Sequence, residues 1–466
     1  MSGHDSVSRR DFIKTVTVAG AGVGLSGLVS TGSAQAEKGP VAPIQVGKSV
    51  MGLKHPKMDR VRVAFIGVGA RGGGHLAQMM TFEGVDVVAI ADNHPPTLDS
   101  AVNKVTGKKR PKPAAYGDGD YGYRKMLERT DIDIVVICTP WEWHAKMCVD
   151  SMKAGKHAFT EVPAAITVEE CWELVDTAEK TGKHCMMMEN CCYGQEELLC
   201  LNMCRLGILG ELLHGEAAYI HELRGQMNAV DHGTGSWRTL HYANRNGNLY
   251  PTHGLGPIAQ YMGINRGDKF DYLSTVASPA IGRALYAKKH YPADHKWNRI
   301  KEWKCGDINT TIIKTALGRS IMLQWDETSP RPYTRLNHIQ GTRGTFAGYP
   351  NRLVIEGETS VTHDWTMTDK LQPFIEKYEH PLWKARGENA KTAGGHGGMD
   401  WLMLWRIVYC LRNGEPLDQD VYDAAAWSVI GPLSEKSIAS RSASVDVPDF
   451  TRGVWKKTAP LGIITC

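Results

Sequence analysis

The chain predicts an α/β protein. A doubly wound parallel sheet comes first, followed by a second α/β domain on a large, open, mainly antiparallel sheet. Three observations carry that expectation. Short apolar runs alternate with helical stretches between residues 61 and 190, as βαβ units require. The first run leads directly into Gly67-Val68-Gly69-Ala70-Arg71-Gly72, and the second ends in Asp92. From about residue 211 the runs alternate apolar and polar with few helices between them, the pattern of antiparallel strands with one solvated or ligand-facing side.

The N-terminus carries a different signal. Ser8-Arg9-Arg10-Asp11-Phe12-Ile13-Lys14 has the twin-arginine export pattern, residues 15–29 are mildly apolar, and Ala34-Gln35-Ala36 offers a small-residue cleavage site. The apolar run is too short and weak for a stable membrane span. Residues 1–36 are therefore expected to be an export signal read by the twin-arginine translocase. The mature chain would start at Glu37 and be periplasmic or secreted, with no membrane association. Removing the segment takes away Arg9, Arg10 and Lys14 against Asp5 and Asp11, so the net charge falls from +4 to +3. That balance, with no basic run, argues against nucleic-acid binding. All 11 cysteines follow the signal without regular spacing, which reads as buried thiols rather than a disulfide framework, and no metal site is expected. The 13 tryptophans and 16 tyrosines are a weak pointer to sugar stacking, because such rings also fill cores.

Residues 37–60 have no periodicity and read as an extended arm, one that could lie on a neighbouring subunit. Strands are expected at 61–66, 85–91, 134–138, 158–160 and 184–188, with helices at 144–154 and 167–180. They make a domain over 61–192. Residues 193–466 form the second domain, for substrate binding and oligomerisation. Its strands are expected near 211–221, 307–317, 319–326 and 335–341, with closing helices at 399–412 and 421–440.

The glycines follow a strand and open a helix, which is the context a Rossmann dinucleotide site needs. Gly67 allows the tight turn, Gly69 lets backbone approach a pyrophosphate, and Gly72 lets helix and strand pack closely. Asp92 lies 20 residues past Gly72, where a carboxylate accepts ribose hydroxyls and repels a 2′-phosphate. The expected cofactor is NAD. Twin-arginine export moves folded proteins, and no nicotinamide pool exists outside the inner membrane. The cofactor is then expected to travel bound and to return to its starting state each turnover.

Residues 61–67 with Asp92, Cys138-Thr139-Pro140, His144, Gly155-Lys156-His157 and Glu161-Val162-Pro163 resemble the glucose–fructose oxidoreductase and inositol dehydrogenase family. The family's dehydrogenases typically carry Glu-Lys-Pro, whose lysine helps to move the substrate hydroxyl proton. Val162 cannot do so, which argues against an ordinary alcohol dehydrogenase. Trp141-Glu142-Trp143-His144, Glu189-Asn190, Trp237-Arg238-Thr239, Asn244-Arg245-Asn246-Gly247, Tyr250-Pro251-Thr252-His253-Gly254 and His396-Gly397-Gly398-Met399-Asp400 look like glycoside hydrolase family 109, which includes NAD-dependent α-N-acetylgalactosaminidases.

That resemblance implies hydrolysis of terminal α-N-acetylgalactosamine by transient oxidation at C3, elimination and water addition, with NAD⁺ regenerated. It also implies that Ala70, Arg71, Asp92, Trp141, Glu142, Trp143, His144, Glu161, Val162 and Asn190 contact NAD. Tyr219, Arg238, Tyr250, Pro251, Thr252, His253 and Tyr333 would contact the sugar. His253 is the first candidate for acid–base work, since imidazole exchanges protons near neutrality. Tyr250 and Tyr193 are further candidates for proton transfer. Alternatives stay open at this point. Arg238 could pair with a carboxylate, Tyr193 could be a packing residue, and Glu142 and Glu161 could be strand-end acids. The activity could instead concern another N-acetylhexosaminide or anomer, or be that of an aldose or polyol oxidoreductase with tightly bound NAD(P). A homo-oligomer through the open sheet is also implied.

Overall fold

A computed structural model describes residues 47–360 and 363–462. The export signal and the start of the arm lie outside the described residues. The first sheet holds β1 (Val61–Ile66), β2 (Val85–Ala91), β3 (Ala114–Tyr116), β4 (Ile134–Ile137), β5 (His157–Thr160) and β6 (Cys185–Met187), in the order β3-β2-β1-β4-β5-β6. All its pairs are parallel. Helices Ala70–Met79, Pro95–Gly107, Trp141–Lys153 and Val168–Thr181 connect them. β4 and β5 are buried at every position, which explains their unbroken apolar runs. The strand β3 escapes sequence reading because three residues show no periodicity. The helix Val168–Thr181 starts on a capping box between Thr167 and Glu170 and stops at left-handed Gly182.

The second sheet holds β7 (Leu212–Ile220), β8 (Phe270–Ala277), β9 (Ile308–Thr315), β10 (Ser320–Asp326), β11 (His338–Gly341), β12 (Gly344–Ala347), β13 (Arg352–Ile355), β14 (Thr366–Met367) and β15 (Val445–Asp446). Their order is β14-β13-β12-β11-β7-β10-β9-β8-β15. The sheet is antiparallel apart from the β7–β10 pair. The register places Ser274 opposite Ile312, and Ile312 opposite Met322, so Tyr272, Val276, Ile312 and Met322 share one face. Tyr272, Val276 and Ile312 are exposed there, while Ile313, Ile321, Leu323 and Trp325 are buried on the other face. One hydrophobic core runs from β1 through this covered face to Phe450, and a smaller one gathers around Trp297 and Trp303.

More helices separate these strands than the sequence suggested, among them Thr234–Asn244, Thr252–Met262 and Gly282–His290. The expected helix at 421–440 is two, Val421–Ser428 and Ile430–Ala439. Pro432, with no N–H, sits in the first turn of the second, where none is needed. The described part of the arm packs on its own chain. Val50 is buried and its N–H donates to the Tyr422 hydroxyl at 3.2 Å, and Met58 N–H donates to Leu411 O at 3.1 Å. Among the described residues, no helix is long and apolar enough to cross a membrane.

Candidate active site

The carboxyl ends of the parallel strands deliver the first set of groups, as in other doubly wound sheets. Gly67 follows β1 with φ +80°, and a Cβ on Gly72 would stand 2.0 Å from Gly67 O. Both glycines are thus required by the protein itself. A Cβ on Gly69 would meet no protein atom within 4 Å. Nothing in the chain explains Gly69, whereas the approach of a pyrophosphate to the N-terminus of helix Ala70–Met79 does. Asp92, after β2, takes a hydrogen bond from Val68 N–H at 2.8 Å on Oδ2 and one from His94 N–H at 2.9 Å on Oδ1. Each oxygen keeps lone-pair capacity for a ribose hydroxyl. The cradle fits a dinucleotide.

Next to it lies a charged cluster. Arg71 donates to Glu161 Oε1 at 2.7 Å and to both Asp400 oxygens at 2.7 and 3.0 Å. His75 Nε2 is 2.6 Å from Glu161 Oε1, Asn190 Nδ2 donates to Asp400 Oδ1 at 2.7 Å, and His396 Nδ1 is 2.7 Å from Asp400 Oδ2. Burial acts to raise the Glu161 carboxyl, yet Arg71 and His75 hold it well below the usual carboxylate range. Burial is likewise overcome at Asp400 by His396 and Arg71. Both acids are therefore anions, and both pair with the Arg71 guanidinium. Asp400 was legible only as the last residue of a motif. The fold brings it 329 positions along the chain to Arg71.

The helix Trp141–Lys153 contributes its first turn. Trp141 is buried and stacks on Tyr250, with centroids 5.7 Å apart and planes 24° apart. Glu142 Oε2 is 3.3 Å from His241 Nε2, and Trp143 meets Tyr121 edge-on at 5.3 Å. His144 is held by the protein itself. Its buried ring lies 2.7 Å from the carbonyls of both Pro163 and Thr139, so it ties two strand-end turns together. Val162 is buried beside Glu161, and its N–H points at Glu161 Oε2, 3.4 Å away.

The acid–base centre comes from the second domain. A Cβ on Gly254 would fall 2.4 Å from Ala218 N, so this glycine lets helix Thr252–Met262 lie directly on β7. The contact brings His253 to the end of β6, where its Nδ1 is 2.7 Å from Glu189 Oε1. Cys191 N–H donates to the same oxygen at 3.1 Å. Glu189 is fully buried, and although burial acts to raise its carboxyl, the charge and hydrogen bond of His253 hold it below its ordinary value. An anion there accepts a hydrogen bond from Nδ1–H, which keeps the proton on Nδ1 and leaves Nε2 as the acceptor. Tyr250 and Tyr219 both pack edge-on against the imidazole, at 4.9 and 5.3 Å. Burial pushes both phenols well up, so they remain neutral and serve as hydrogen-bond donors rather than bases.

Other expectations change. Tyr193 does not join the centre: its phenol is fully buried and donates to Asp418 Oδ2 at 3.2 Å, beside Arg406. Thr252 has no exposed surface, and Pro251 is buried before it, where the two start the helix that carries His253. Arg238 lies in the same aromatic wall and has a buried carboxylate partner. Its guanidinium lies 4.9 Å from the Trp141 centroid and 4.3 Å from that of Tyr250, and it donates to Glu327 at 2.6 Å and to Tyr242. It braces the aromatic wall. Tyr333 is at the open side, 6.2 Å from Tyr219. Glu189, Glu327 and Tyr242 were not singled out as site residues. Glu189 was visible as a strand-end acid, while the other two carried no local signal.

Comparison with known proteins agrees with this arrangement. Residues 193–457 match the family model of the glycosyl hydrolase 109 C-terminal domain, and residues 61–189 match that of the oxidoreductase family with an NAD-binding Rossmann fold. The chain is 59% identical over 463 residues to a glycosyl hydrolase family 109 protein of Shewanella sp. strain MR-4, covering 98% of this chain and 99% of that one. Among solved structures, an NAD binding oxidoreductase from Klebsiella pneumoniae superposes with a TM-score of 0.66 at 16% identity, over 84% of this chain and 100% of that one. A levoglucosan dehydrogenase in complex with NADH and levoglucosan gives 0.63 at 18% identity, over 84% and 99%. These last two share the fold. The cofactor of the Rossmann domain is NAD.

Proposed function

The chain belongs to glycosyl hydrolase family 109, and from that premise we propose that it removes terminal α-linked N-acetylgalactosamine without net consumption of NAD. The observation that carries the reading is the buried Glu189–His253 pair inside an aromatic wall, beside a dinucleotide cradle whose lysine position holds Val162. When bound, NAD supplies an acceptor for hydride from the sugar's C3 and gives that hydride back at the end of the turnover. The ketone at C3 makes the C2 proton acidic. Its loss expels the C1 substituent, and water then adds at C1.

His253 is the group placed to take and return a proton at the sugar. Glu189 fixes the imidazole tautomer and stabilises its protonated form. Trp141, Tyr219 and Tyr250 supply apolar surface that keeps bulk water from the reacting carbons. Val162 cannot deprotonate a hydroxyl, which supports a hydrolase over an alcohol dehydrogenase.

The test is release of nitrophenol from para-nitrophenyl N-acetyl-α-galactosaminide in heavy water with no added NAD. Release with deuterium at C2 of the product is expected. No release from protein that contains NAD would turn the reading towards another glycoside or a sugar oxidoreductase.

Export through the twin-arginine translocase is part of the proposal, resting on Arg9-Arg10 and the cleavage pattern before Glu37. Replacing both arginines by lysine should retain the precursor in the cytoplasm, and N-terminal sequencing of the exported form should begin at Glu37. A second copy of the chain is proposed on the open sheet face, where Tyr272, Val276 and Ile312 are exposed. Light scattering of wild type and Ile312→Lys decides this: a dimer or larger that the substitution dissociates is expected.

A further inference from the structure

The aromatic cluster does not end at the catalytic imidazole. Ring centroids step from His253 to Tyr219 at 5.3 Å, on to Tyr333 at 6.2 Å and on to Tyr349 at 5.8 Å. Exposure rises along this row, from 7% at Tyr219 to 38% at Tyr333 and 39% at Tyr349. The row leads from a buried acid–base group out to solvent.

The outer pair is held by a built support. Arg335 is only 5% exposed, and its guanidinium lies 5.7 Å from the Tyr333 centroid and 5.4 Å from that of Tyr349. It donates to the Tyr333 hydroxyl at 2.8 Å and to buried Glu197 at 2.5 Å. Burying an arginine and a glutamate is costly, and here they brace two rings that stay half open. Tyr349 also has φ +56°, a left-handed conformation that bulky side chains avoid. Its segment is pinned by Gly348 N–H donating to Leu336 O at 3.0 Å. A strained, braced aromatic residue with an exposed ring gains little from its own burial, which points to a ligand.

We propose that Tyr349, together with Tyr333, forms the wall against which the leaving group of the glycoside stacks, taking the flat C–H face of a second sugar ring. The assignment rests on the glycosidase reading. It follows from the direction of the row. A terminal sugar at His253 is enclosed by residues that are nearly inaccessible, and its single extension is the substituent on C1. That substituent has to leave along the row that opens to solvent. Stacking on a tyrosine face contributes enough to change affinity about five- to tenfold.

The experiment uses the full mature protein with NAD bound and compares wild type, Tyr349→Asn and Tyr349→Phe. Asparagine tolerates the left-handed backbone, so Tyr349→Asn removes the ring without adding strain. The probes are methyl N-acetyl-α-galactosaminide and a disaccharide in which the same sugar is α-linked to galactose. The ratio of kcat/KM for disaccharide over methyl glycoside should fall five- to tenfold in Tyr349→Asn and stay at the wild-type value in Tyr349→Phe. An unchanged ratio in Tyr349→Asn would overturn the assignment, as would an equal fall in Tyr349→Phe. Fluorescence titration with the disaccharide and with free N-acetylgalactosamine gives a separate readout. The variant should bind the disaccharide five- to tenfold more weakly with no such change for the monosaccharide, and equal affinities would again overturn it. If wild type cleaves neither glycoside, the functional reading fails, and the titration still decides the subsite.

Discussion

Replacing Glu189 by glutamine tests the centre most directly. The change is nearly isosteric and removes one buried charge, 2.7 Å from His253 Nδ1. Two effects set its size. A hydrogen bond to a charged group is worth about 1.5–3 kcal/mol and a neutral one about 0.5–1.5 kcal/mol, so the protonated imidazole loses about 1–1.5 kcal/mol, roughly a tenfold loss in rate. An amide can also donate to Nδ1, which moves the ring proton to Nε2 and blocks the acceptor. Where a carboxylate that orients a catalytic imidazole was replaced by its amide elsewhere, the loss was about 10⁴-fold. The expected fall in kcat for Glu189→Gln is therefore between about tenfold and 10⁴-fold, with KM little changed. The assay is nitrophenol release at saturating glycoside, with bound NAD measured by absorbance and folding by circular dichroism. A folded, NAD-loaded Glu189→Gln enzyme with wild-type kcat would refute the argument, because the imidazole would then need no fixed tautomer.

Other outcomes follow from the same geometry. His253→Ala should lower kcat by about 10²–10⁴-fold while NAD stays bound, the range that acid–base catalysis contributes; measured retention of activity would remove His253 from the mechanism. Gly69→Ala and Gly72→Ala should separate folding from binding. The first adds a methyl to open space, so Tm should hold while NAD is lost from the purified protein, and the second collides with Gly67 O at 2.0 Å and should cost about 1–3 kcal/mol of stability. Scanning calorimetry with NAD stoichiometry reads both. Glu161 and Asp400 are held below their unfolded values, so their pairing stabilises the fold above about pH 4 and is lost as pH falls through the folded values. Tm should drop below about pH 4, and less steeply in Asp400→Asn than in wild type; identical slopes would show that the Arg71 cluster does not govern acid stability.

The sequence by itself determined the cofactor half of the protein. A dinucleotide site is built from consecutive residues, a strand, three glycines and an acid one βαβ unit later, so local pattern was sufficient for Gly67, Gly69, Gly72 and Asp92. The second sheet was legible from its period of two, though not its β7–β10 parallel pair, because periodicity does not encode strand direction. Helix Thr252–Met262 was hidden because two glycines and Pro257 argue against a helix, whereas here Gly254 serves close packing on β7. What only the tertiary structure decided is the partner of each charge. Arg71 and Arg238 read as ligand contacts, and the fold pairs them with Asp400 and Glu161 and with Glu327. Tyr193 read as a proton carrier and is buried on Asp418. Glu189, legible only as part of a motif at a strand end, lies against His253 from 64 positions away. A buried charge needs a counter-charge close in space, and spacing along the chain carries no record of which one the fold will supply.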